Sequence, residues 1–172
     1  MQPPGQAMDQ SLDFISHSVT QTQRIGARLG ELALAGDVFL LEGELGSGKT
    51  CLTQGIARGL GINGFVSSPT FTLINEYRPV DWGCRLSLYH IDFYRLDQPV
   101  AEALDLGLDD YLYGDGLCVV EWAERVASIL PAERLYIQLK FISETKRGLC
   151  LTPTGPRYEA LLREFKRRAF GI

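Results

Sequence analysis

The chain has 172 residues, enough for one domain with a sizeable core, and its 45% hydrophobic and 22% charged residues are ordinary for globular proteins. A formal net charge of −4 does not favour nucleic-acid binding by the surface as a whole, so an RNA contact would need a local basic patch or a partner. No stretch approaches the ~20 apolar residues of a membrane span, and the polar N-terminus lacks a signal pattern. We therefore expect a cytoplasmic protein without membrane contact, with a flexible tail over residues 1–10.

The first predicted elements alternate between strands and helices. A short strand is expected near residues 12–15, followed by an amphipathic helix over 20–34 with Ser18 or Thr20 as its N-cap. The apolar residues 38–41 then predict a buried strand. Apolar positions at helical spacing from residue 51 to residue 60 predict a helix directly after the turn that ends this strand.

The middle of the chain predicts a hairpin and a second buried strand. Residues 71–77 and 85–93 alternate in the manner of two antiparallel strands around a Pro- and Gly-containing turn. A short helix is expected over 100–104 and an acidic turn over 108–112. The stretch 117–122 is apolar up to residue 120 and then predicts a buried strand that ends in a carboxylate.

The last third predicts a helix that ends before Pro131, strands over 135–141 and 149–152, and a closing helix from Arg157. No repeat or linker interrupts the chain, so we predict one domain over 11–172. The expected fold class is α/β of the P-loop NTPase type. Its sheet would be mixed and mostly parallel, with helices on both faces and a local antiparallel hairpin.

Residues 43–50 read Gly-Glu-Leu-Gly-Ser-Gly-Lys-Thr and fit G-x-x-x-x-G-K-[ST], the phosphate-binding loop of nucleoside triphosphatases. A strand, a glycine turn and a helix in this order point backbone N–H groups and a helix N-terminus at a phosphate. The alternative is a plain glycine turn between strand and helix. We predict a nucleotide site with contacts from the following residues: Glu44, Leu45, Gly46, Ser47, Gly48, Lys49, Thr50 and Cys51.

A triphosphate with Mg²⁺ needs matching groups in the protein. Lys49 is expected on the β and γ phosphates, and the Thr50 hydroxyl on magnesium. Since magnesium takes one or two protein oxygens, a second ligand should follow a neighbouring buried strand. Glu121, which closes the apolar run 117–120, is the candidate. Alternatively, Glu121 is a capping carboxylate before the next helix.

Hydrolysis also needs a group that orients the attacking water. Asp92, at the end of the strand 85–93, is the candidate, and the alternative is a surface pair between Asp92 and Arg95. Ser68, Pro69 and Thr70 follow the loop helix and resemble in placement a switch loop that senses the γ-phosphate, although a plain turn fits the same spacing.

Two absent motifs narrow the reaction. The sequence has no N-K-x-D motif, so adenine is preferred over guanine by elimination. No second acid follows Glu121 directly, which suggests slow intrinsic turnover that a partner raises. Near the C-terminus, four basic residues form either a solvated helix face or a contact for RNA or an acidic partner. They are Arg163, Lys166, Arg167 and Arg168.

Five stretches in this order resemble the TsaE (YjeE) family of small bacterial ATPases. They are 43–50, 68–73, 90–96, 107–111 and 121–122, and together they span roughly residues 20–125. The resemblance implies a P-loop α/β fold and a role in making threonylcarbamoyladenosine at position 37 of tRNA. It also implies binding to the TsaB–TsaD pair, with ATP hydrolysis supporting repeated turnover by TsaD and with tRNA reached indirectly.

The resemblance also implies residue roles. Lys49 would hold phosphates, Thr50 and Glu121 would hold Mg²⁺, Asp92 would be needed for hydrolysis, and Thr22 would lie near the adenine of ATP. Two other function classes stay open on the sequence. One is a P-loop small-molecule kinase, and the other is a nucleotide-gated binding module in which hydrolysis is incidental.

Overall fold

The computed structural model describes residues 10–64, 66–69, 72–79 and 83–172. Nearly all of the predicted tail over 1–10 lies outside the described residues, as do Thr70 and Phe71. In the part of the chain that is described, no helix is both long and apolar enough to span a lipid bilayer.

The described residues form strands and helices that alternate through most of the chain. The strands are β1 (Leu12–Ser16), β2 (Val38–Glu42), β3 (Ile74–Tyr77), β4 (Leu88–Asp92), β5 (Leu117–Glu121), β6 (Arg134–Phe141) and β7 (Arg147–Thr154). The α-helices are α1 (Val19–Leu32), α2 (Lys49–Gly59), α3 (Pro99–Asp105), α4 (Leu108–Leu112) and α5 (Pro156–Phe170). A 3₁₀-helical segment, Ala123–Ile129, follows β5. The predicted cap of the first helix is confirmed, because the Ser18 hydroxyl accepts a hydrogen bond from the Gln21 N–H at 3.0 Å.

The strands form one mixed sheet in the order β1-β7-β6-β2-β5-β4-β3. The four central strands β6, β2, β5 and β4 pair in parallel. Antiparallel strands complete both edges, with β3 beside β4, and with β7 and β1 beyond β6. The α/β fold of the P-loop NTPase type, with its mixed sheet and local antiparallel hairpin, is confirmed.

Helices cover both faces of the sheet, as predicted. Along β2, Phe39 and Leu41 point into the core beneath α1, α2 and α5, while Val38 and Leu40 point into the core beneath α3, α4 and the 3₁₀ segment. This alternation explains why β2 is a continuous apolar run, because a central strand of a covered sheet is buried on both sides.

Two predictions about local structure are wrong in type or extent. Residues 108–112 form a helix instead of a turn. Leu108 and Leu112 lie one helical turn apart, and both pack into the core on the face of the sheet that α3 covers. The strand expected from residue 85 begins only at Leu88. Arg85 instead donates hydrogen bonds to the carbonyls of Gly30 and Ala33 at the end of α1.

Two other strands differ in length from their predictions. The strand expected over 71–77 begins at Ile74, because Leu73 has a left-handed φ of 68° that is incompatible with extended structure. The strand expected over 149–152 runs from Arg147 to Thr154, because it pairs with β6 along its whole length.

Helices α1 and α2 pack against each other through glycines. A Cβ atom added to Gly55 would lie 2.8 Å from the carbonyl carbon of Gln23, and one added to Gly26 would lie 2.9 Å from the backbone nitrogen of Ile56. The two backbones therefore touch directly at these positions. Since α2 begins at Lys49, this contact sets the direction of the helix that leads out of the phosphate-binding loop.

We expect Gly55→Ala to lower the free energy of unfolding by about 1–3 kcal/mol, because the added methyl overlaps the α1 backbone and outweighs the gain in helix propensity. Chemical denaturation measures the change. Gly148→Ala is the matched control, since its Cβ would meet its nearest neighbour at 3.5 Å, and its effect should stay within about 0.5 kcal/mol. Equal stability of Gly55→Ala and the unchanged protein would contradict the backbone contact.

Candidate functional site

The phosphate-binding loop joins the end of β2 to the start of α2. Gly46 and Gly48 have φ angles of 83° and 102°, a backbone region that favours glycine. Gly48 is the N-cap residue of α2 and no side chain caps the helix, so the first-turn N–H groups remain available to a ligand. The buried Ser47 hydroxyl has no hydrogen-bond partner among the described residues. These features fit an anion with several oxygen atoms.

Lys49 is buried, with 9% of its surface exposed, and its side chain folds back along the loop. Its Nζ donates hydrogen bonds to the carbonyl of Gly43 and, at 3.2 Å, to that of Glu44. The same Nζ lies 5.1 Å from the centroid of the Trp122 ring. The ammonium group is therefore held at the loop, where it can exchange carbonyl contacts for phosphate oxygens.

A cleft of about 280 Å³ opens at this loop. It brings together residues that are far apart in the sequence, and its walls are Leu45, Gly46, Ser47, Gly48, Lys49, Thr50, Cys51, Ser68, Asp92, Glu121 and Trp122. Most of the residues predicted for nucleotide and magnesium binding thus meet in one place. Glu44 is exposed and lies in the wall of a neighbouring, larger groove of about 1130 Å³ along β1, β6 and β7. Of the two, the smaller cleft is the one that contains Lys49 and the start of α2.

Two buried carboxylates line the cleft. Asp92 is 3% exposed and Glu121 is 2% exposed, and they are register partners at the carboxyl ends of the parallel strands β4 and β5. Asp92 Oδ1 accepts a hydrogen bond from the Tyr94 N–H at 2.8 Å. Asp92 is thus a buried residue of the cleft, and its role in hydrolysis and its pairing with Arg95 both stay predictions.

The oxygen groups of the cleft suit magnesium. Among the described residues no group of three or more His, Cys, Asp or Glu side chains is placed to hold a metal ion. A magnesium ion bound with a nucleotide does not need such a group, because it takes one or two protein oxygens together with phosphates and waters. The Thr50 hydroxyl and the Glu121 carboxylate fit that smaller requirement, and a cation would offset the buried negative charge.

Comparison with known proteins adds the family to this geometry. A family model described as "Threonylcarbamoyl adenosine biosynthesis protein TsaE" matches residues 16–149. The chain belongs to the TsaE family. A protein of Bacillus subtilis (strain 168) named "tRNA threonylcarbamoyladenosine biosynthesis protein TsaE" is 46% identical over 147 residues, covering 86% of this chain and 89% of its own. A protein of the same name from Treponema pallidum (strain Nichols) is 43% identical over 135 residues, covering 78% of this chain and 96% of its own.

A solved structure agrees with these sequence matches. The crystal structure of Bacillus subtilis YdiB superposes on this TsaE family member with a TM-score of 0.79 at 40% identity, covering 92% of this chain and 96% of that one. The family resemblance expected from the five sequence stretches is therefore confirmed.

Ser68, from the segment proposed as a switch loop, lies at the cleft. Ser68 is exposed at the cleft wall, while Pro69 is buried and its carbonyl accepts hydrogen bonds from the N–H groups of Thr72 and Leu73. The Leu73 carbonyl in turn accepts a hydrogen bond from the Asp92 N–H at 2.9 Å. Pro69 is thus connected through backbone hydrogen bonds of Leu73 to the end of β4. Thr70 lies outside the described residues.

Thr22 lies outside the walls of the cleft. It is buried in α1, where its hydroxyl donates to the Ser18 carbonyl at 3.2 Å and lies 2.7 Å from Ser16 Oγ. Its place near the adenine of a bound nucleotide stays a prediction.

Cys51 lies at the α1 side of the cleft, and its Sγ donates to the Val19 carbonyl at 3.5 Å. Burial raises the pKa of the Cys51 thiol, and the nearby guanidinium groups of Arg147 and Arg58 only partly oppose this effect. The side chain is therefore a neutral thiol near pH 7, and it adds no negative charge next to the phosphate-binding loop.

Trp122 and Arg125 shape the site without having been assigned a role from the sequence. Trp122 adopts a left-handed φ of 58°, and its ring lies 4.8 Å from that of Tyr94. Arg125 donates hydrogen bonds to the carbonyls of Phe93, Tyr94 and Leu96, the segment directly after Asp92. The sequence pointed to Trp122 only as part of the Glu121-Trp122 stretch. It gave no signal for Arg125, because a single arginine does not reveal which carbonyl groups it will contact in the fold.

We expect Arg125→Met to lower the free energy of unfolding by about 1–3 kcal/mol, because three carbonyls lose their donor. Hydrogen–deuterium exchange should also accelerate over residues 93–97, the segment that Arg125 holds. Arg58→Met is the control, since the exposed Arg58 makes one hydrogen bond to Gln23, and its effect should stay within about 0.5 kcal/mol. Unchanged exchange in the 93–97 segment would show that Arg125 does not hold it.

Proposed function

We propose that this chain is the ATP-hydrolysing component of the machinery that makes threonylcarbamoyladenosine in tRNA. The observation that carries the proposal is the single cleft that gathers Lys49 and Thr50 from the loop with Asp92 and Glu121 from two adjacent strands. Membership of the TsaE family supports the pathway, since the related Bacillus and Treponema proteins are named for it.

In the proposed binding step, Lys49 and the N–H groups of the first turn of α2 hold the β and γ phosphates of ATP. Thr50 and Glu121 hold magnesium, which when bound neutralises negative charge on the phosphate oxygens. Since Lys49 already lies at the loop with its ammonium group on carbonyl oxygens, phosphate binding requires little movement of its side chain.

In the proposed hydrolytic step, Asp92 orients the attacking water. The Tyr94 N–H donates to Oδ1 of Asp92 and so fixes the carboxylate at the cleft, where we assign it to the water. The water oxygen bonds to the γ-phosphorus, the bond to the β–γ bridging oxygen breaks, and ADP and inorganic phosphate result. Electrostatic positioning of this kind is the main means by which proteins catalyse phosphoryl transfer.

Slow turnover by the isolated chain is part of the proposal. Trp122 follows Glu121, so no second carboxylate stands at the position where a stronger catalytic base would be expected. Ser68 at the cleft wall precedes Pro69, whose carbonyl accepts the Leu73 N–H, and the Leu73 carbonyl accepts the Asp92 N–H. A partner that moves Ser68 and Pro69 would therefore act on the water-orienting residue. We propose the TsaB–TsaD pair as that partner, in the cytoplasm and with tRNA reached indirectly.

We expect Lys49→Ala to lower ATP hydrolysis by roughly 10³-fold, because charge on the transferred phosphoryl group loses its stabilising ammonium. Release of inorganic phosphate from ATP and Mg²⁺, with and without TsaB–TsaD, measures the effect. Lys166→Ala, on α5 and away from the cleft, is the matched control and should keep the full rate. An undiminished rate for Lys49→Ala would remove the loop from the reaction.

We expect Asp92→Asn to bind ATP but to lose about 10²–10⁴-fold in hydrolysis, because the amide orients and polarises water less well than a carboxylate. The control is Asp97→Asn, which changes an exposed residue of the same segment and should leave the rate unchanged.

The assay uses γ-labelled ATP, so that label in inorganic phosphate supports an ATPase and label on an added metabolite would support the kinase alternative. A TsaB–TsaD complex that forms with ATP but never raises the rate would favour a nucleotide-gated binding module.

A further inference from the structure

A buried histidine lies directly behind one of the carboxylates of the cleft. His90 lies on β4, two residues before Asp92 and therefore on the same face of the strand. It is 0% exposed, and its Nε2 lies 3.3 Å from Oε2 of Glu121 on the neighbouring strand β5. On this face Leu88 and Val119 are apolar core residues, whereas Asp92 and Asn75, the register partner of His90 on β3, are polar.

Packing alone does not explain why position 90 is a histidine. In the described residues neither ring nitrogen makes an aligned hydrogen bond, and a buried polar group without one costs free energy. A leucine would avoid this cost, and the amide of the neighbouring Asn75 does not compensate it, because it bonds with the Thr72 hydroxyl and the Ser67 carbonyl. The group that the ring does approach is the Glu121 carboxylate, and 3.3 Å is close enough for a small rotation to align the N–H with the oxygen.

We propose that His90 is a positioning residue for Glu121. Its Nε2–H donates a hydrogen bond to Oε2 when metal and nucleotide are bound, and this bond leaves Oε1 of Glu121 for the magnesium ion. The inference rests on the proposed function, in which Glu121 is a magnesium ligand. A hydrogen-bonded partner behind a carboxylate ligand fixes its orientation, and loss of such a partner typically weakens metal binding by about 10–100-fold.

The geometry of amide side chains provides a matched pair of variants. The amide nitrogen of glutamine reaches the position of a histidine Nε2, whereas that of asparagine reaches only the position of Nδ1. The proposal therefore predicts different effects for two substitutions: His90→Gln keeps a donor toward Glu121, and His90→Asn does not. Because asparagine also leaves the larger cavity, thermal unfolding of both variants reports the effect on packing, while their Mn²⁺ affinity reports the donor toward Glu121.

The test measures Mn²⁺ binding to the full chain with a non-hydrolysable ATP analogue, followed by electron paramagnetic resonance. We expect Mn²⁺ affinity within about threefold of the unchanged protein for His90→Gln, and a roughly 10–100-fold loss for His90→Asn. Affinity for the analogue without metal should be the same in all three proteins. Equal Mn²⁺ affinity of the two variants would overturn the inference, and no Mn²⁺ uptake by the unchanged protein would overturn the proposed function with it.

A measurement on the unchanged His90 remains decisive if a variant fails to fold. The chain has two histidines, so His17→Gln, which removes an exposed side chain, leaves a single imidazole to observe by ¹⁵N nuclear magnetic resonance. With Mg²⁺ and the analogue bound, the proposal predicts a proton on Nε2. A ring protonated only on Nδ1 would contradict it.

Discussion

The parallel pairing of β2, β5 and β4 is the constraint on which the site depends. Parallel strands present their carboxyl ends at one edge of a sheet, and in this fold class ligands bind beyond that edge. Here β2 leads into the phosphate-binding loop, and Asp92 and Glu121 end the two strands next to it in direct register. A slip of one residue in either strand would turn its carboxylate to the opposite face of the sheet.

Bringing an ammonium group and two carboxylates into one buried cleft has a cost that the surrounding structure must offset. Buried charges are tolerated when they are paired or hydrogen-bonded. Lys49 rests on loop carbonyls, Asp92 accepts the Tyr94 N–H, and Arg125 holds the chain that carries this N–H. His90 behind Glu121 belongs to the same arrangement, because it offers that carboxylate a donor from within the core.

Helices α1 and α2 also help to position the residues of the cleft, through direct contact between their backbones. The glycines between α1 and α2 let the backbones touch, and the uncapped first turn of α2 lies at the cleft. A rigid direction of α2 therefore follows from close packing, at positions where any side chain would be too large. The effect of Gly55 on the site is indirect, since this glycine lies in the second half of the helix and does not line the cleft.

The sequence by itself determined the phosphate-binding loop, the buried strands and the capped first helix, because each depends on neighbours within a few residues. Glycines at positive φ, apolar runs and a Ser18 cap are local properties of the backbone. It also suggested Asp92 and Glu121 individually, as acids at the ends of strands. It misjudged residues 108–112, whose leucines become a helix face only against a core built by other segments.

Only the tertiary structure decided that Asp92 and Glu121 stand side by side at the loop, that Arg125 holds the segment after Asp92, and that His90 reaches Glu121. These contacts join residues about thirty or more positions apart, and they follow from strand order and register. The periodicity of a single segment encodes neither strand order nor register. A period of two shows which face of the sheet a residue occupies, but it does not show which strand lies next to it.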